Sequence, residues 1–264
     1  MTFINDISLT PSEALQPFLS FRDAELKRRN LFMAESPNVV ERALQTGVAP
    51  AAVLCGKSRV EWCRHHLDVY DDEIPVYVGE EKELASITGF SLTRGLLCLM
   101  RRPADRPASD VLKNGRRLCV IYDVCDAVNV GLIFRTAAAL AYDGVILSPG
   151  TCDPLNRRSL RTSMGAVFQI PWAYAEGITS LLKQYGFESV CTALSSDSVS
   201  LEKFSAEQGS RYAVIFGSEG YGLPQEVIAS CNHTVKIPMQ PGVDSLNVGA
   251  AAAIVLWHFS PLNP

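Results

Sequence analysis

The chain has 264 residues, 47% of them apolar and 20% charged, with a formal net charge of −4. That is enough chain for two hydrophobic cores, and it is too apolar for disorder. The slight acidity excludes a globally basic nucleic-acid coat and leaves room only for local basic patches.

In chain order, residues 11–47 read as helices. Pro11-Ser12-Glu13-Ala14 offers one start. Ser36-Pro37 offers a second, with serine as N-cap and proline at the first helical position, and Gly47 closes it. Short apolar strands at 51–54, 75–78 and 95–100 then alternate with helices at 60–67 and 80–87. This pattern predicts a small α/β domain over residues 1–100. Residues 101–116 are proline-broken and carry Arg101, Arg102 and Arg106, which predicts an interdomain linker. The first hundred residues hold ten basic and fourteen acidic side chains, so the remainder is near neutral. Over 117–264, apolar strands at 118–123, 143–147, 187–194, 211–216 and 234–237 alternate with helices at 130–141, 158–165, 176–185, 224–231 and 246–258. Apolar runs bounded by helices predict an α/β fold with a mainly parallel sheet, covered on both faces.

The eight cysteines are scattered without a C-x-x-C pair, most of them in apolar runs such as Leu118-Cys119-Val120-Ile121. Buried, reduced thiols in a cytoplasmic protein are expected. No cysteine or histidine pair has ligand spacing, so no metal is expected. The start, Met1 to Asp6, lacks a basic region followed by an apolar core, and the apolar stretch at 249–257 is too short to span a bilayer. Neither a signal peptide nor a membrane partner is expected.

Three segments carry candidate chemistry. They are Asn129-Val130-Gly131 with Arg135-Thr136-Ala137, then Phe216-Gly217-Ser218-Glu219-Gly220-Tyr221-Gly222-Leu223, then Ile237-Pro238-Met239 with Asp244-Ser245-Leu246-Asn247-Val248-Gly249. Each joins glycines to polar side chains at an expected strand-to-helix junction, where free backbone groups can hold a ligand. None fits a phosphate-cradling loop or a dinucleotide fingerprint. Arg135 lies on an otherwise apolar helix, where a lone arginine could pair with a carboxylate or reach solvent; beside the neighbouring motifs a functional role is favoured, because its fork of donors suits phosphate or a developing alkoxide. Asn129 and Ser245 each sit where a helix cap is wanted, so capping and ligand contact are both open. Gly217, Gly220 and Gly222 serve a turn or let backbone approach a ligand. Glu219, among three glycines, has little reason to be core and could bond a ligand hydroxyl, orient a substrate group or sit across a dimer interface. Arg157, Arg158 and Arg161, with Arg101, Arg102 and Arg106, form a solvated basic face or an RNA phosphate track.

Together the three segments resemble the SpoU (TrmH-type) branch of the SPOUT RNA methyltransferases, from Asp123 to the C-terminus. Asn129 to Ala137 is similar to N-x-G-x-x-x-R-T-A, Gly217 to Leu223 to G-x-E-G-x-G-L, and Ile237 to Val248 to I-P-M followed by S-L-N-V. Ala127 stands where proline is common, and Tyr221 where a basic residue is common. On Glu35 to Gly47 and Gly95 to Arg102, residues 1–100 resemble the family's L30e-like substrate-binding domain.

The resemblance implies S-adenosyl-L-methionine as cofactor and methylation of a ribose 2′-hydroxyl in structured RNA, with rRNA favoured over tRNA. It also implies a C-terminal trefoil knot and a homodimer formed through the C-terminal domain. Asn129, Arg135, Glu219, Ser245 and Asn247 become the catalytic candidates. Leu194, Gly217, Gly222, Ile237, Met239 and Leu246 become the cofactor contacts, with backbone of Ile237 and Leu246 on the adenine. The family proposal makes Arg135 a base, but arginine stays protonated, and oxyanion stabilisation is physically easier. Two other readings remain: a catalytically silent RNA-binding or assembly protein of this fold, and a SPOUT enzyme that methylates a base.

Overall fold

A computed structural model describes every residue except 1–2, 20–21, 71–72, 196, 208, 243–244 and 263–264. Asp244 of the third segment therefore lies outside the described residues. The chain forms two compact units, Met1–Ala104 with Leu155–Phe168, and Asp105–Pro154 with Gln169–Pro264.

The first unit runs β1 (Phe3–Asp6), α1 (Ser12–Leu19), α2 (Asp23–Arg28), β2 (Leu31–Glu35), α3 (Pro37–Gln45), β3 (Pro50–Gly56), α4 (Val60–Leu67), β4 (Pro75–Gly79), α5 (Glu81–Thr88) and β5 (Leu96–Arg101). Its sheet has the order β1-β4-β3-β5-β2, with β4 parallel to both neighbours and β5 antiparallel to both of its own. The 11–47 stretch is not all helix. Leu31-Phe32-Met33-Ala34-Glu35 are good helix formers in isolation. Here they pair with β5, from Leu31 opposite Arg101 to Glu35 opposite Leu97, and bury Phe32, Met33 and Ala34. Sheet pairing and burial outweigh local propensity.

Next come α6 (Ala108–Asn114), β6 (Arg117–Ile121), α7 (Ala127–Ala139), β7 (Gly144–Leu147), α8 (Arg157–Thr162), β8 (Trp172–Tyr174), α9 (Ile178–Gln184), β9 (Phe187–Thr192), β10 (Val199–Ser200), β11 (Arg211–Phe216), α10 (Gln225–Ser230), β12 (His233–Lys236) and α11 (Val248–His258). Seven strands form one parallel sheet, ordered β10-β12-β9-β11-β6-β7-β8. Leu118 to Ile121 and Ala213 to Phe216 are completely buried, as central parallel strands covered on both faces require. The stretch expected as a linker holds the end of β5 and all of α6.

Segment 155–168 belongs by its packing to the first unit. The Asn156 side chain donates to Asp23 at 2.9 Å, and Arg42 donates to the Met164 carbonyl at 2.6 Å. The Phe32 and Phe168 rings lie 5.9 Å apart. Arg157 approaches buried Glu35 at 3.9 Å and covers the Phe90 ring at 4.7 Å.

The thiol expectation holds only in part. Cys55, Cys63, Cys98 and Cys119 are buried and free, and burial pushes the Cys98 and Cys119 thiols up. Cys191 and Cys231 instead form a disulfide. Cys231, at the end of α10 just before β12, lies at a Cα separation of 6.3 Å from Cys191 on β9, within the range a disulfide spans. No helix among the described residues is long and apolar enough to cross a membrane.

Candidate active site

The carboxyl ends of β9, β11 and β12 open onto a cavity of about 540 Å³ in the second unit. Residues from the second and third segments wall it. Leu194, Gly217, Gly222, Ile237, Met239 and Leu246, the six expected cofactor contacts, all line it, as do Glu219, Ser245 and Asn247. They meet because parallel pairing aligns the strand ends, with Val235 beside Thr192 and Ile215 beside Cys191.

Gly217 follows the last buried residue of β11. A Cβ there would lie 2.5 Å from the Gly222 carbonyl carbon and 2.6 Å from the Leu223 nitrogen. The chain turns back on itself at this point, closing with a bridge between Ser218 and Gly222. Gly222 takes a left-handed φ of 66°, which glycine adopts without steric cost. Two of the three glycines thus have a structural reason, and nothing lies within 4 Å of a Cβ placed on Gly220.

Asn129 is not an N-cap. Asp126 caps α7, accepting from the backbone nitrogens of Val128 at 2.6 Å and Asn129 at 3.2 Å. Asn129 lies in the first turn, nearly buried, and its side chain is free to bond elsewhere. Its amide nitrogen donates to Glu219, and its amide oxygen accepts from Asn247 at 3.0 Å. Ser245 is no cap either. Asn247 caps α11, accepting from Gly249 N at 2.9 Å and Ala250 N at 3.3 Å. A side-chain chain thus joins all three segments.

The loop before α7 is held by a network that sequence patterning does not disclose. Asp123 has φ 53°, donates its backbone N–H to Ser148 Oγ at 2.8 Å and accepts from the same hydroxyl at 2.6 Å. Thr151 donates to the Ile121 carbonyl at 2.8 Å. Tyr122, beside this loop, has its phenol pushed up by burial and then by the charges of Asp123 and Glu226.

Arg135 is exposed on α7, outside the cavity lining, and its side chain takes no partner among the described residues. Among the proposed RNA contacts, Arg101, Arg158 and Arg161 are exposed, whereas Arg102 and Arg157 are partly buried. All five belong to the first unit. The cavity also recruits Ser195 and Lys236, which no motif marked. Lys236 donates to the Ser195 carbonyl at 3.3 Å. The only signal for them was adjacency to Leu194 and Ile237.

The SpoU rRNA methylase family model matches residues 117–257. An uncharacterized tRNA/rRNA methyltransferase of Mycobacterium bovis is 34% identical over 86% of this chain and 80% of its own length. The 23S rRNA guanosine 2′-O-methyltransferase RlmP of Bacillus subtilis is 27% identical over 89% of this chain and 90% of its own. Among solved structures, an AdoMet-bound rRNA methyltransferase from Sinorhizobium meliloti superposes with a TM-score of 0.83 at 24% identity, covering 97% of both chains. The SpoU methyltransferase AviRb from Streptomyces viridochromogenes gives 0.76 at 21% identity, covering 93% of this chain and 94% of its own. The structural likenesses establish the fold; the family match and the Mycobacterium relative establish kinship. The chain belongs to the SpoU rRNA methylase family, a family of RNA methyltransferases.

Proposed function

We propose that this protein methylates a ribose 2′-hydroxyl of ribosomal RNA. The observation that carries this reading is the convergence of nine expected site residues, eight of them from the motif segments, on one cavity at the strand ends. The cavity fits the methyl donor. Its volume, about 540 Å³, lies in the small-ligand range. Leu194, Ile237, Met239 and Leu246 supply apolar walls. The backbones of Ile237 and Leu246 take no hydrogen bond within the chain among the described residues, which leaves them for an adenine. When bound, the donor supplies a methyl carbon already activated by a sulfonium, so that much of the protein's own share is binding and alignment.

Arg135, on the helix that carries Asn129, would hold the RNA phosphate beside the reacting ribose, since a guanidinium suits planar oxyanions. RlmP, a 23S rRNA 2′-O-methyltransferase, supports ribosomal RNA and ribose as the target. The first unit would be the L30e-like RNA-binding domain, with Arg101, Arg158 and Arg161 toward phosphates. The proposed homodimer has a ready surface: Val128 and Leu132 on α7, and Ile254 and Trp257 on α11, are exposed apolar side chains on two helices packed together. A trefoil knot in the C-terminal segments completes the reading.

The test is incubation of the protein with labelled S-adenosyl-L-methionine and ribosomal RNA, followed by alkaline hydrolysis. A labelled, alkali-resistant dinucleotide is expected. Label recovered on a base, or donor binding without any transfer, would overturn the ribose reading in favour of a base methyltransferase or a silent RNA-binding protein.

A further inference from the structure

The link between Asn247, Asn129 and Glu219 has a fixed polarity. An asparagine amide carries one acceptor atom and one donor atom. The Asn247 oxygen is occupied by two backbone N–H groups at the start of α11, Gly249 at 2.9 Å and Ala250 at 3.3 Å. Its nitrogen must therefore face away, and it donates to the Asn129 oxygen at 3.0 Å. With that oxygen taken, Asn129 has only its nitrogen left, and this donates to Glu219 Oε1. Reversing either amide would set oxygen against oxygen or nitrogen against nitrogen. The helix end thus dictates, through two side chains, that Glu219 is held as an acceptor. Its second oxygen has no partner among the described residues.

The composition of the cavity singles out the same residue. Among its described lining residues Glu219 is the only carboxylate, and no histidine lines it. Lys236 is engaged as a donor, and Arg135 stays protonated and cannot accept a proton. We propose that Glu219 accepts the proton of the 2′-hydroxyl, and that Asn129 and Asn247 are positioning residues that hold its carboxylate ready. This rests on the ribose reading of the site. The proton moves from the 2′-oxygen to Glu219 Oε2 as that oxygen bonds to the methyl carbon. The carbon–sulfur bond breaks, sulfur keeps the electron pair and loses its positive charge, and exposed Glu219 then returns the proton to water.

The experiment combines single-turnover pH profiles with a readout that needs neither donor nor RNA. Wild type should gain rate about tenfold per pH unit on its acid limb, then level off. Glu219→Gln keeps an acceptor for Asn129, so it should fold and bind the donor within about threefold of wild type. It should lose roughly 100-fold or more in rate, and the acid limb with it. Asn129→Asp retains the bond from Asn247 but sets a second carboxylate against Glu219, so the acid limb should move to higher pH. In the free protein, labelled with nitrogen-15, Glu219→Gln should move the side-chain amide resonances of Asn129. Unmoved resonances would overturn the network. A methylating wild type whose Glu219→Gln variant keeps its acid limb would overturn the base alone. A wild type that methylates no RNA at any pH would overturn the ribose reading and the base with it.

Discussion

A Cβ on Gly217 would stand 2.5 Å from the carbonyl carbon of Gly222, so the loop that carries Glu219 closes only over a bare backbone. The obstacle is main chain, which cannot swing aside as a side-chain tip can. Gly217→Ala should cost about 1–3 kcal/mol in stability through forced displacement. It should also weaken S-adenosyl-L-methionine binding tenfold or more, about 1.4 kcal/mol. Chemical denaturation and calorimetry measure the two losses. Unchanged affinity would mean that the loop does not shape the donor site.

Arg135 gives the opposite signature. It is exposed and takes no partner in the chain among the described residues, so Arg135→Ala should leave stability within about 0.5 kcal/mol of wild type. Donor affinity should also hold, while single-turnover methylation falls by roughly 100-fold, the scale of one missing oxyanion donor. A near-normal rate would remove Arg135 from the reaction.

The strands at Leu118 to Ile121 and Ala213 to Phe216 were legible because central parallel strands must be apolar on both faces. The expected cofactor contacts in the cavity were legible through the resemblance, whereas Ser195 and Lys236, which no motif marks, were not. Other features depended on distant partners. β2 is helix-forming in isolation and is a strand only because β5 lies beside it. The start of α7 shifted to Asp126, since an aspartate outcompeted Asn129 for the cap. β8 and β10 span three and two residues, too short for any periodicity. The disulfide joins residues 40 positions apart, which composition cannot pair.

The five proposed RNA arginines should separate by function. Arg157 stands 3.9 Å from buried Glu35 and over the Phe90 ring, so Arg157→Ala should destabilise the protein by about 1–3 kcal/mol. Arg101, Arg158 and Arg161 are exposed. Neutralising these three together should spare stability and flatten the salt dependence of RNA binding, by about 0.7–0.9 in slope for each phosphate left without its arginine. Filter binding across a salt series checks this, and an unaltered slope would take these residues off the RNA surface.

Reduction of the Cys191–Cys231 bond should lower stability. The bond closes a loop of 40 residues, for which chain entropy predicts up to about 4 kcal/mol. Both cysteines flank walls of the cavity: Thr192 follows one, and β12, which ends beside Ile237, follows the other. Thermal melts with and without a dithiol, compared with Cys231→Ser, measure the contribution. Coincident melts would show that the bond does not form in solution.

The excursion of Leu155–Phe168 also bears on the order in which the protein can be made. When its first 104 residues have left the ribosome, the amino-terminal unit still lacks α8, the Met164 carbonyl that Arg42 holds, and the Phe168 ring that meets Phe32. Those parts arrive only after β6, α7 and β7 have been synthesised. Folding during synthesis therefore cannot run strictly unit by unit along the chain. For the same reason, a fragment cut at residue 117 would carry a helix and an aromatic side chain whose proper neighbours had been left behind.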